Sequence, residues 1–191
     1  MKYYPKVKKF VKESFAKNGK FGDELRHFWR TAYWMKRLYP KADEAMLIAA
    51  VAHDIERAYR KGIYTKKFAH NFLDRYSLYD HPRGGAVIMK KFLLKHGAPK
   101  AMAAKVAMMI QKHETGGNKW QNLLKDADSI SYFDKHYKGF IKKHLHIATL
   151  DVVRQKFDWM YSRITSPQGK RLAKPMYKQS IKYLNKSYKT L

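Results

Sequence analysis

His53 and Asp54 stand side by side at the end of Ala45-Met-Leu-Ile-Ala-Ala-Val-Ala52, a stretch apolar on every face of a helix and so expected to be buried. An ionised carboxylate beside an imidazole in such surroundings costs several kcal/mol unless it is paired or coordinated. An isolated pair of this kind is most simply a capping Asp next to a His satisfied by a backbone carbonyl. This pair has company. His27 lies one predicted helix earlier, in Leu25-Arg-His-Phe-Trp-Arg30; His81 opens the next long helix, His113-Glu114 closes the one after, and Asp126-Ala-Asp128 follows. Consecutive helices thus each deliver an imidazole or a carboxylate, the way helical proteins assemble divalent metal sites from facing side chains. Nitrogen and oxygen ligands suit Mn, Fe, Co, Ni, Zn or Mg. The chain has no cysteine, which excludes disulfides, thiolate zinc sites and cysteine nucleophiles.

The elements that must position these residues are read from periodicity and breakers. Apolar residues Tyr3, Val7, Phe10, Val11 and Phe15 predict a basic helix over 2–18, ended by Asn18-Gly19 and Gly22. Asp23 is an N-cap candidate for a helix to Leu38, and a third helix is expected from Asp43 to Tyr59. A short helix is expected within the polar connection 64–78. His81-Pro82 opens a helix to His96, Lys100–Lys112 forms another, and 119–137 a sixth. Gly139 is expected to separate that helix from a long one over 140–164, with a last basic helix over 170–188 after Ser166-Pro167. There is no alternating strand pattern and no repeat. The expectation is an all-α fold, a single compact domain over 1–191 with its core at 23–137 and a C-terminal extension of basic helices at 139–191.

The order His27, His53-Asp54, Asp128 resembles the signature of the HD superfamily of metal-dependent phosphohydrolases, over residues 23 to 137. His27-Phe-Trp-Arg30 is similar to that family's His-x-x-Arg, Ala50-Val-Ala-His-Asp-Ile55 to its small-apolar lead-in, and Lys125-Asp-Ala-Asp-Ser-Ile130 to its closing motif. In that closing motif the second Asp is the ligand, which favours Asp128 over Asp126. His81-Pro-Arg-Gly-Gly-Ala86 and His113-Glu-Thr-Gly-Gly117 resemble stretches of the diadenosine tetraphosphate hydrolases, a branch with two additional His. The resemblance implies an HD-type helical domain holding one or two divalent metal ions, with His27, His53, Asp54 and Asp128 as ligands and His81 and His113 completing a second position. Alternatively, those two His line the pocket and bind phosphate oxygens. Asp54 would bridge two metals, and Glu56 would orient the water or accept its proton, unless it simply pairs with Arg57 or Arg60. Arg30, Arg83, Lys112 and Lys125 lie near ligands in sequence and could neutralise phosphate, Arg through its planar fork of donors.

In 191 residues, 41 Lys and Arg stand against 15 Asp and Glu, a net charge of +26. A field of that sign attracts polyanions, so nucleic acid is a second partner to consider beside a small phosphorylated substrate. A solvated basic surface accounts for the charge as well. Residues 139–191 hold only Asp151 and Asp158 as acids, and their aromatic residues read most simply as the buried stripes of two helices. His70, His96, His144 and His146 read as structural. The start lacks the apolar run of a signal peptide and no stretch reaches the roughly 20 apolar residues of a membrane span, so a cytoplasmic protein without a membrane partner is expected, as monomer or homodimer. The expected activity is metal-dependent hydrolysis of a phosphate ester or anhydride, on a nucleotide or another small phosphorylated metabolite. A nucleic-acid-binding protein or nucleotide sensor built on the same core is the alternative.

Overall fold

The computed structural model describes residues 1–17, 23–60 and 73–189. Among these residues it is all-α: α1 (Tyr4–Ala16), α2 (Asp23–Leu38), α3 (Glu44–Ala52), α4 (His81–Lys95), α5 (Lys100–Ile110), α6 (Lys119–Ser131), α7 (Tyr137–His144), α8 (Leu150–Ser162) and α9 (Pro167–Lys189), without a strand. A 3-10 turn (Ile55–Ala58) follows α3, and π turns at Tyr76–Asp80 and Tyr132–His136 lead into α4 and α7. No described helix is long and apolar enough to cross a membrane.

The α3 helix is the axis of the main core. Every residue from Ala45 to Ala52 is buried, with α1, α2, α5 and α6 packed around it. Fully burying Met46, Leu47 or Ile48 contributes roughly 1.5–3 kcal/mol each. Asp43 caps the helix by accepting from Met46 N at 3.0 Å. Glu44 reaches back to the start of α1 and accepts from Tyr3 N and Tyr4 N at 2.6 and 2.8 Å. A second core lies under Phe133, Ile141, Val153, Phe157 and Leu184, contributed by the second π turn, α7, α8 and α9.

Three boundaries differ from expectation, each for a local reason. The helix expected over 43–59 stops at Ala52, because Asp54 takes φ −99°, ψ 13°, outside the helical well. Consecutive side chains on a helix diverge by about 100°; the break lets His53 and Asp54 face one place. Gly139 does not separate helices. It sits inside α7, and the rod continues from Lys119 to His144, since one glycine costs a helix only about 1 kcal/mol and Tyr137 and Ile141 to either side of it are buried. The break falls instead between α7 and α8, where Thr149 accepts from Val152 N as an N-cap. The last helix begins at Pro167, a residue preorganised for a first turn, rather than at 170. Most of the helix expected over 64–78, and His70 with it, lie outside the described residues.

Candidate metal centre

Two groups of buried side chains offer ligand atoms within 4.8 Å of one another: His27, His53 and Asp128, and Asp54, His81, His113 and Glu114. His27 comes from the middle of α2, His53 and Asp54 from the break after α3, His81 from the first turn of α4, His113 and Glu114 from the turn after α5, and Asp128 from α6. In the first group Asp128 Oδ1 lies 3.0 Å from His27 Nε2 and 3.4 Å from His53 Nε2. In the second, Asp54 Oδ1 lies 2.8 Å from His81 Nε2 and 3.4 Å from His113 Nε2. The other oxygen of Asp54 lies 3.1 Å from Arg57 Nε and 3.7 Å from His53 Nε2, so this carboxylate stands between the two groups.

Each imidazole is oriented through its far nitrogen. His53 Nδ1 donates to the Ala50 carbonyl and His113 Nδ1 to the Ile110 carbonyl, both at 2.9 Å. Ser131 donates its hydroxyl proton to the His27 carbonyl and accepts from His27 Nδ1 at 2.9 Å. His81 Nδ1 donates to Glu56 at 2.7 Å, and Glu56 is held by Arg60 at 2.9 Å and by the Tyr76 hydroxyl. All four rings therefore turn Nε2 inward, and in the neutral tautomer that atom is a lone pair. Nε2 of His53 and of His113 has no hydrogen-bond partner in the buried interior. Lone pairs and carboxylate oxygens facing one another at 3–4 Å repel unless a cation lies between them, and outer hydrogen bonds of this kind are what orient metal-ligating His. The donor set fits one or more divalent ions.

The electrostatics agree. Burial alone would lower the His113 pKa, yet the carboxylates of Asp54 and Glu114, 3.4 and 3.6 Å from its Nε2, push it up to about 10. The site favours positive charge. Burial raises the carboxyl of Asp54, but Arg57, His53, His113 and His81 together hold it well below the usual range. For Asp128 the opposing cation is Arg163, with His53 and His27 adding to it. The Arg163 guanidinium is itself buried and pairs with both Asp128 and Glu114, and its Nε donates to Ser129 at 2.8 Å.

A cleft opens over the centre, lined by His27, Asp54, Glu114 and Asp128 on its floor and by Phe28, Arg57, Tyr132, His136, Phe140, Lys156 and Met160 around it. The sequence motifs converge: His27, His53, Asp54, His81, His113 and Asp128 meet at one place. Asp126 turns away and accepts from Thr165 N and Ser166 N, both at 2.8 Å, at the start of α9. Glu56 does not line the cleft; its carboxylate is spent on His81, Arg60 and Tyr76. None of the four cations expected near phosphate lines the cleft either. Arg30 pairs with Asp134 at 2.6 Å and lies over the Tyr33 ring, Arg83 and Lys112 are exposed, and Lys125 is buried against Gly116. Neighbouring residues on a helix point to different sides, so closeness in sequence to a ligand does not bring a side chain to the cleft.

The residues missed are Glu114, Tyr132, His136, Lys156 and Arg163. Tyr132 and His136 were legible, since they follow Asp128 at steps of four along one helical rod and so share its face. Lys156 and Arg163 carry no local signal among 41 Lys and Arg.

A family model described as a domain of unknown function, DUF4202, matches residues 9–182. The chain belongs to that family. The match takes in α8 and most of α9, beyond the region of the HD-like motifs. The fold is similar to that of a predicted HD superfamily hydrolase from an uncultured Thermotogales bacterium, at a TM-score of 0.57 and 18% identity, with 96% of this chain and 90% of that chain covered. The HD-type architecture expected from the motif order is thus present in this DUF4202 chain. Comparison with curated proteins finds no match.

Proposed function

We propose that this protein is a metal-dependent phosphohydrolase acting on a nucleotide or another small phosphorylated metabolite, with a pair of divalent ions at the His/Asp centre. The observation that carries the reading is Asp54, which lies between the two ligand groups, with one oxygen toward His81 and His113 and the other toward His53 and Arg57. That arrangement suits an ion on each side, and His81 and His113 then play the part expected from the branch with two additional His. When bound, such ions supply Lewis acidity that acidifies water and polarises phosphoryl oxygens. The chain's own residues do the rest. His27, His53, His81 and His113 hold their ligating nitrogens in register through Nδ1 hydrogen bonds, and Glu56 acts on His81 rather than on water. Arg163 fixes the outer oxygens of Asp128 and Glu114, which directs the inner ones to the centre. Phe28, Phe140 and Met160 keep one wall of the cleft apolar and limit bulk water beside the reacting group.

The test is metal content by mass spectrometry on wild type and Asp54→Ala, both purified without chelator. One to two equivalents of a transition metal, lost in the variant, support the site and its count; a phosphatase screen across nucleotides with that metal follows. A wild type that stays metal-free after incubation with Mn, Fe, Ni and Zn would remove the hydrolase reading. A second reading, a nucleic-acid-binding protein on the same core, is favoured by one observation, the +26 net charge.

A further inference from the structure

Two groups on the cleft wall are used by neither ligand set. The Tyr132 hydroxyl is buried with no hydrogen-bond partner, and its residue belongs to a π turn, a distortion that concentrates at functional sites. Burial, and then the charge of Asp128, raise its pKa well above the usual phenol value, so it remains a donor. Lys156, which also lines the cleft, comes from α8, and the ring centroid of Trp159 lies 4.4 Å from its Nζ; the Arg163 guanidinium lies 4.6 Å from the same ring. Arg57 lines the same opening, with its Nε 3.1 Å from Asp54 and one terminal nitrogen 3.8 Å from Glu114. The Lys156 ammonium is pushed down to about 8, first by burial and then, against the attraction of Glu114, by Arg163 and Arg57. An ammonium, a guanidinium and a buried hydroxyl with no partner of its own thus line one opening over the centre, a donor set that suits an occupant which is anionic and accepts hydrogen bonds on several sides.

We propose that Tyr132, Lys156 and Arg57 form a subsite for the terminal oxygens of a phosphate group, so that the substrate is a phosphomonoester dianion rather than a diester. A monoester presents three non-bridging oxygens and close to two negative charges, which match this donor set. A diester has one charge and an extra ester arm that the ammonium and the hydroxyl would have to accommodate unpaired. The inference rests on the phosphohydrolase reading and names its substrate class.

The experiment uses metal-loaded wild type, Lys156→Met and Tyr132→Phe, with metal content and helicity checked for each. Hydrolysis of 4-nitrophenyl phosphate and bis(4-nitrophenyl) phosphate is compared, and inorganic phosphate is titrated calorimetrically. The wild type is expected to favour the monoester. Losing a hydrogen bond to a charged group weakens binding by roughly tenfold or more, so each variant should bind phosphate that much more weakly and lose the same factor in monoester preference, mainly through KM. Tyr132→Phe removes a single oxygen and keeps the test open if Lys156→Met does not fold. Unchanged phosphate affinity at unchanged metal content would overturn the subsite, as would an equal loss on both esters. If wild type binds metal and phosphate but cleaves neither ester, the phosphohydrolase reading fails, and the phosphate titrations alone decide the subsite.

Discussion

Asp126 and Asp128 are two positions apart on α6 and are surrounded by different chemistry. Asp126 holds backbone donors at the start of α9, and Asp128 sits between two imidazoles and a guanidinium. Asp126→Ala should therefore destabilise the protein by about 3 kcal/mol, through buried donors left unpaired, while metal content is kept. Asp128→Asn should do the reverse, losing metal with a smaller change in the urea midpoint. Urea unfolding and mass spectrometry on the same preparations separate the two. Glu56 offers a pH test. Burial opposes its ionisation, but His81, Arg60 and Tyr76 lower its pKa from 4.5 to about 2. A depressed carboxyl contributes stability that is complete above its unfolded pKa and lost as pH falls through the folded value. In chelator, wild type should thus melt above Glu56→Gln at pH 7, and the gap should close between about 4.5 and 2; a constant gap would mean that Glu56 is not ionised in this network. Motif order singled out Asp128, and the fold places it beside His27 and His53, whereas Glu56's turn toward His81 depended on where α4 packs.

Among the elements, α4 is positioned by its closeness to the break after α3. A methyl group at Gly85 would lie 3.2 Å from the His53 carbonyl oxygen and 3.3 Å from Ile110 Cγ2, and one at Gly84 would lie 3.0 Å from Glu56 Cγ. The Gly84-Gly85 pair lets α4 approach closely enough for His81, at its first turn, to reach Asp54. Gly85→Ala brings better helix propensity but forces backbone apart, and overpacking of this kind costs typically 1–3 kcal/mol. The expected outcome is a net loss of about 1 kcal/mol or more in urea unfolding, with weaker metal retention because His53 moves. A neutral or stabilising result would show that α4 can shift without the centre noticing. The doublet at the end of an apolar helix and the Gly-Gly after His81 could both be read in the sequence. The continuity of α6 into α7 through Gly139 could not, because local propensity is weaker than the packing of Phe133, Tyr137 and Ile141 into the second core.

For the molecule as a whole, the centre lies where the two cores meet. Its candidate ligands come from α2–α6 and the turns between them, and the cations that frame it, Lys156 and Arg163, come from α8 and its end. The C-terminal helices, expected from their sequence to be a basic extension, thus supply part of the site. The +26 charge remains to be assigned, and salt dependence can assign it. If phosphate contacts along a polymer matter, log K for a random oligonucleotide should fall steeply with log[salt], by about 0.7 per contact on a single strand. A slope near zero would confine the recognition of anions to the cleft.

By itself the sequence determined the all-α class and the convergence of four His and two Asp, because these depend on periodicity and on residues at helix ends, and both are local properties of the chain. Tertiary structure alone decided which charges serve the centre. One arginine in a chain with 41 Lys and Arg is indistinguishable from the rest until the fold buries it against Asp128 and Glu114. Burial multiplies the strength of a charge interaction by lowering the surrounding dielectric, and only the packed chain specifies which cation is buried beside which carboxylate.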